Sequence, residues 1–136
     1  MFPMENAELR WLLLTVIWTG LLWIPYIAYL IVKHGPVEAI YDPTGEHPLD
    51  APWAARSKRA HMNSVENLVL FAPLALMVHA LHAGTPATAT ACAVYFFARV
   101  AHTLIYTAAL PVVRTVTFLI GWGALGVLVL RLLAIV

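Results

Sequence analysis

Four apolar stretches dominate the chain, and each is separated from the next by proline, glycine or charge. Trp11 to Val32 runs for 22 residues without a charge, the length that a bilayer crossing needs. Pro25 lies inside this stretch and predicts a kink, because proline removes one backbone hydrogen bond. Lys33 and His34 close it, and Gly35-Pro36 ends the helical pattern. The next stretch opens polar (Arg56, Lys58, Arg59), becomes apolar from Asn67, and passes through Pro73. Gly84-Thr85-Pro86 predicts a tight turn into a third stretch. Pro111 marks a turn into the fourth. The expected spans are about 9–33, 60–83, 87–109 and 114–135, with one long polar connection at about 34–55. Pro52 suits the first position of the second helix. The reading is an all-α integral membrane protein, a single domain of four transmembrane helices over residues 1–136.

Two polar stripes interrupt the apolar pattern. Each residue of a helix advances about 100°, so Asn63 lies roughly 40° from Arg59, and Glu66 about 20° from it on the other side. Arg59, Asn63 and Glu66 therefore share one face as the second helix enters its apolar part. On the third helix Arg99, His102 and Tyr106 share a face at i, i+3 and i+7. An arginine at membrane depth needs a carboxylate or a wet cavity. Glu66 is the acid expected to serve Arg99. Gly121, Gly123 and Gly126 predict a thin face on the fourth helix for close packing.

Composition changes little in this picture. Of 136 residues, 62% are hydrophobic and 11% charged, against about a quarter charged in soluble domains. A formal charge of +1 offers no general attraction to nucleic acid. The lone cysteine, Cys92, sits among apolar residues and reads as a packed thiol. No metal-ligand spacing, phosphate loop or Ser-His-Asp pattern is present. The acidic start, Met-Phe-Pro-Met-Glu, lacks the basic opening of a signal peptide, so the first stretch reads as a retained span.

Basic residues set the orientation. Lys33, Arg56, Lys58 and Arg59 flank the first connection, and Arg114 returns to the same side, which the positive-inside rule assigns to the cytoplasm. Both polar stripes converge there. The assembled set of Arg59, Asn63, Glu66, Arg99, His102, Tyr106, Arg114 and Lys33 is rich in donors and cations. It suits an anionic, peptide-like ligand at membrane depth.

Arg-Ala-His-Met-Asn-Ser-Val-Glu (59–66), Ala-Arg-Val-Ala-His-Thr-Leu-Ile-Tyr (98–106) and Pro-Val-Val-Arg-Thr-Val-Thr (111–117) together resemble the MAPEG family, the membrane-associated proteins in eicosanoid and glutathione metabolism. The resemblance covers nearly the whole chain and is closest to the branch of microsomal prostaglandin E synthase type 1. It implies a homotrimer with glutathione bound between subunits on the cytoplasmic side. It also implies a lipophilic small-molecule substrate arriving from the membrane lipid. By position, Arg59, Asn63, Glu66, His102 and Tyr106 would hold glutathione, with Arg99 supporting Glu66. Lys33 stands where the family has a basic residue ending the first helix. Arg114 would lie near the sulfur, and Thr115 replaces a serine whose hydroxyl polarises it.

Three departures bear on activity. Met62 stands where that branch has an arginine, the turn before Arg114 is one residue shorter, and Thr115 is bulkier than serine. The implied function is therefore a general glutathione transferase or peroxidase rather than prostaglandin synthesis as such. The alternative is a non-catalytic membrane scaffold or regulator that binds glutathione or lipid.

Overall fold

The computed structural model describes residues 6–41 and 48–134. Its elements are α1 (Ala7–Leu21), α2 (Ile24–His34), α3 (Pro36–Ile40), α4 (Pro52–Ala80), α5 (Pro86–Thr107) and α6 (Pro111–Leu132), with no strand among the described residues. Four helical segments are long and apolar enough to cross a membrane, α1 and α2 together making the first. The protein is thus an all-helical, multi-pass membrane protein.

The helix ends follow local chemistry. Asn6 caps α1, its Oδ1 accepting from the Leu9 N–H at 3.1 Å. The first span breaks at Leu22–Trp23 and resumes with Pro25 at the start of α2, where a missing proline N–H does least harm. Pro52, Pro86 and Pro111 each begin a helix in the same way. Thr85 and Thr88 form a reciprocal capping box at the head of α5, satisfying two donors that a helix start leaves open. Helix α4 continues through Pro73 without a break. The short helix α3 inside the long connection carries no periodic signal. The Pro43 and Glu46 part of that connection lies outside the described residues.

The bundle divides into a dry half and a polar half. Leu12, Phe71, Ala75, Val78, Cys92, Tyr95, Leu125 and Leu128 form the core, and the Phe71 and Tyr95 rings stack with centroids 4.0 Å apart. Cys92 is a buried free thiol, as its neighbours suggest. Gly121 is buried against Ala98 and Arg99 and lets α6 approach α5. Gly123 and Gly126 meet nothing within 4 Å of where a side chain would begin. Only Gly121 of the three expected small residues therefore acts as packing within the subunit, since Gly123 points about 160° away from it.

The half of the bundle away from this core is tied by polar contacts between α4 and α5. Ser64 Oγ and Thr103 Oγ1 lie 3.3 Å apart. Thr103 and Thr107 return their hydroxyls to the carbonyls of Arg99 and Thr103, both at 2.9 Å. Arg56 Nε donates to the Thr107 carbonyl at 2.8 Å and ties the start of α4 to the end of α5. The α5–α6 turn then places Ala109 at φ 64°, and the Leu110 N–H returns to the Ile105 carbonyl at 3.2 Å. That left-handed residue reverses the chain in three positions and brings the head of α6 beside the last two turns of α5.

Candidate functional site

Two adjoining cavities open at this polar half. One, of about 250 Å³, is lined by Asn63, His102, Tyr106, Arg114, Thr115 and Phe118. The other, of about 390 Å³, is lined by Lys58, Arg59, Met62, Asn63, Glu66 and Tyr106. Asn63 and Tyr106 belong to both. The two stripes thus meet at one place, the α4 stripe through Asn63 and the α5 stripe through Tyr106.

Arg114 is held from three directions. Its guanidinium lies 4.6 Å from the centroid of the Tyr106 ring, a cation over a negative π face. Its backbone carbonyl accepts from Thr117 Oγ1 at 2.8 Å and lies 3.1 Å from His102 Nδ1. The His102 ring is packed between Tyr106 and Phe118, with centroids at 5.8 and 6.0 Å. The α5–α6 turn is therefore a clamp on the Arg114 backbone, and the Tyr106 ring is the contact that holds its guanidinium at the cavity wall.

Arg99 is 2% exposed. Its Nη2 donates to Asn63 Oδ1 at 2.7 Å and approaches Ser64 Oγ at 3.4 Å. The expected pairing with Glu66 is not formed. Glu66 is exposed on the wall of the second cavity, and an ion pair forms elsewhere, between Lys33 and Asp50. On α4, Asn63 and Glu66 point about 60° apart, enough to turn one inward to Arg99 and leave the other on the surface. Asn63 consequently has two neighbours, the buried guanidinium and the cavity.

Thr115 lines the first cavity, but its Oγ1 donates to the Pro111 carbonyl at 3.1 Å. The hydroxyl proton is thus committed to backbone, leaving Arg114 as the charged donor at that wall. Lys33 stays outside both cavities, paired to Asp50 and beside the Tyr29 ring at 5.7 Å. The bond to Lys33 holds the Asp50 carboxyl below the ordinary carboxylate range.

A family model described as the MAPEG family matches residues 10–134. The chain belongs to the MAPEG family. No curated protein and no solved structure matches the chain. Membership points to a glutathione-related membrane function, and the MAPEG family includes glutathione transferases and peroxidases.

The donor chemistry fits such a ligand. Asn63, Tyr106, Arg59, Lys58 and Arg114 supply amide, phenol and cationic donors around the joined cavities, and Arg99 Nε and His102 Nε2 are buried without a partner among the described residues. Among the described residues no group of His, Cys, Asp or Glu is arranged to hold a metal ion.

Several contributors lie outside the two polar stripes. Phe118 and Thr117 frame the His102 ring, and Ser64 with Thr103 props the Arg99 seam. Tyr26 Oη lies 2.9 Å from His61 Nδ1 and joins α2 to α4. Glu8 is the buried acid of the bundle, 4% exposed, with its Oε1 accepting from Thr88 Oγ1 at 2.5 Å. It lies near the acidic start of the chain, ahead of the uncharged run that begins at Trp11, so no apolar pattern marks it.

Proposed function

We propose that this MAPEG protein binds glutathione in the joined cavities and activates its thiol for attack on, or reduction of, a lipophilic electrophile or hydroperoxide. Glutathione supplies the thiol nucleophile and a flexible peptide carrying two carboxylates. The observation that carries the reading is Arg114 braced over Tyr106 at the wall of a cavity that Asn63 and His102 also line. A thiol with a pKa of about 8.5 is mostly protonated at neutral pH, and an adjacent cation favours the thiolate.

The residues divide the work. Arg59, Asn63 and Tyr106 hold and orient the peptide, with Glu66 available to an ammonium or amide donor. Arg114 faces the charge that develops on sulfur. Apolar surface at membrane depth admits the second substrate. Arg99 acts through Asn63, fixing its amide rather than pairing with Glu66.

Two features support a homotrimer with the site facing the cytoplasm. Arg59 and Glu66 are exposed on one subunit, a costly arrangement against lipid, and a neighbouring subunit would cover them. Lys33, Arg56, Lys58, Arg59 and Arg114 gather at the end where α2 finishes and α4 and α6 begin, which the positive-inside rule assigns to the cytoplasm.

The second reading is binding without turnover. It is favoured by Met62 on the wall of the second cavity, where the prostaglandin synthase branch carries an arginine, and by the Thr115 proton held on Pro111. The test is the ultraviolet absorbance of the glutathione thiolate on adding purified protein, repeated with Arg114→Ala, beside conjugation of a generic aryl halide. A thiolate signal that Arg114→Ala removes supports the enzyme. Binding with neither signal nor conjugation selects the second reading, and no binding defeats both.

A further inference from the structure

His102 is fixed by an interaction that decides which of its nitrogens carries hydrogen. Its Nδ1 lies 3.1 Å from the Arg114 carbonyl, and a carbonyl oxygen can only accept. Nδ1 therefore carries the hydrogen. In the neutral ring Nε2 is then a bare acceptor. This Nε2 is buried with no partner among the described residues. The residue is 3% exposed and lines the cavity that holds Arg114. A buried acceptor left open costs free energy unless a ligand completes it.

The groups around it are known from each packed element. Arg99 and Tyr106 come from its own helix and Arg114 from α6. On α4, Arg59 and Glu66 line the adjoining cavity. The other residues of the first cavity are Asn63, Tyr106, Arg114, Thr115 and Phe118, so His102 carries its one imidazole, and Nε2 is buried just behind the wall.

The geometry points to His102 Nε2 as the group that takes the thiol proton, while Arg114 stabilises the sulfur that loses it. The inference rests on the glutathione reading above and deepens it. In the step, the S–H bond breaks, its electron pair stays on sulfur, and the proton forms an N–H bond at Nε2. Thiol and imidazole become thiolate and imidazolium, with no change in net charge. The Nδ1–H bond to Arg114 serves both states of the ring and holds its plane. Arg99 and Arg114 oppose a further positive charge on the ring, so the imidazolium persists only while sulfur is anionic. Consumption of the thiolate then releases the proton to the product or to water, resetting the neutral ring.

Calorimetry distinguishes this arrangement from thiol ionisation into solvent. Glutathione is titrated into the full-length protein in detergent at pH 7, in two buffers of different ionisation enthalpy, and thiolate is measured by absorbance in the same samples. Transfer to His102 predicts far less than one buffer proton per thiolate formed. His102→Asn keeps an amide N–H for the Arg114 carbonyl but removes the base. In that variant the pH at which half the bound thiol ionises rises by at least one unit. One full proton released per thiolate in the wild-type protein overturns the inference with the glutathione reading left standing. So does an unchanged pH profile in His102→Asn. Absence of glutathione binding to the wild-type protein overturns both.

Discussion

Arg99 Nη2 donates to Asn63 Oδ1 at 2.7 Å across the seam between α4 and α5, while Glu66, three residues further along α4, is exposed. Asn63→Ala leaves a guanidinium that is 2% exposed with only the longer approach to Ser64. Loss of that partner costs about 1–3 kcal/mol of stability. Glu66→Gln shifts stability by less than about 0.5 kcal/mol, as expected for an exposed site without a structural contact. Thermal unfolding of the two variants in the same detergent gives the comparison. Equal losses in both would restore Glu66 as the counter-ion.

Arg114 and Tyr106 make a second separable pair. Arg114→Ala removes the cation from the cavity and lowers turnover with glutathione by about 10²-fold, the scale of deleting one donor to a developing anion. Tyr106→Phe keeps the ring face under the guanidinium and stays within several-fold of the wild-type rate. Tyr106→Ala takes away the ring and weakens the hold on Arg114 by about 0.5–2 kcal/mol. Steady-state rates with a generic electrophile check the order. A Tyr106→Phe defect as deep as Arg114→Ala would mean that the phenol, not the ring, is the active part.

Much of this was legible in the residues, and the misses have physical causes. Span number follows from solvent: a bilayer tolerates neither charge nor unsatisfied backbone, so the spans end in the pattern at charge (Lys33) or at helix breakers (Gly84, Pro111). The stripes were legible because helical periodicity places Arg59 with Asn63, and Arg99 with Tyr106, whatever the tertiary structure. Periodicity does not fix how far a helix is rotated against its neighbour. Asn63 and Glu66 straddle the position of Arg59, and only the packed seam decides which of them meets Arg99. The clamp on Arg114 was also hidden. It depends on Ala109 adopting a left-handed conformation, which alanine does not advertise as glycine would. Thr115 has the hydroxyl type that a thiol donor needs, and only the structure shows that this hydroxyl bonds back to the Pro111 carbonyl, as hydroxyls near a helix start readily do. The bonds from Tyr26 to His61 and from Glu8 to Thr88 join distant segments and leave no periodic trace.

Ala109 carries strain that a substitution can relieve. Its φ is 64°, a region that costs an ordinary residue roughly 1–2 kcal/mol. Ala109→Gly removes that cost but loosens the unfolded chain. The net effect is a gain of up to about 1 kcal/mol. Ala109→Val adds a β-branched side chain and destabilises. Melting temperatures should rank glycine, alanine, valine from highest to lowest. Because this turn sets Arg114, the valine variant also loses glutathione thiolate signal. A valine variant as stable and as active as the wild type would show that the turn does not govern the clamp.

The bond between Lys33 and Asp50 gives the long connection a pH dependence. Bonding to Lys33 lowers the Asp50 carboxyl below its ordinary value. A lowered folded value means that the folded state favours the carboxylate. The contribution is therefore complete above about pH 4, near the unfolded value, and is lost as pH falls through the lower folded value. Asp50→Asn reproduces the acid state at neutral pH. Amide protection at residues 49–51 should be lower in this variant at pH 7, and the two proteins should converge in acid. Equal protection at pH 7 would show that the pair does not hold the connection.

At the opposite end, Thr88 Oγ1 and Glu8 Oε1 lie 2.5 Å apart, with Thr88 fully buried and Glu8 nearly so. The same threonine belongs to the capping box of α5, so one hydroxyl joins α1 to the start of α5. Thr88→Val preserves shape but leaves the carboxyl without this partner, at a cost of about 1–3 kcal/mol. Glu8→Gln keeps a side-chain acceptor for Thr88 and costs less. Replacing both partners, with Glu8→Leu and Thr88→Val, recovers part of the loss, because an unmet buried polar group is worse than an apolar pair. Gly84 sets a further limit: a side chain there would begin 3.2 Å from Glu8 Oε1, so Gly84→Ala presses on the same carboxylate. A double-mutant cycle read by thermal unfolding measures the coupling. Purely additive losses would show that Glu8 and Thr88 act independently. A large coupling, with glutathione binding at the distant cavities intact, would assign this pair to holding α1 in the bundle.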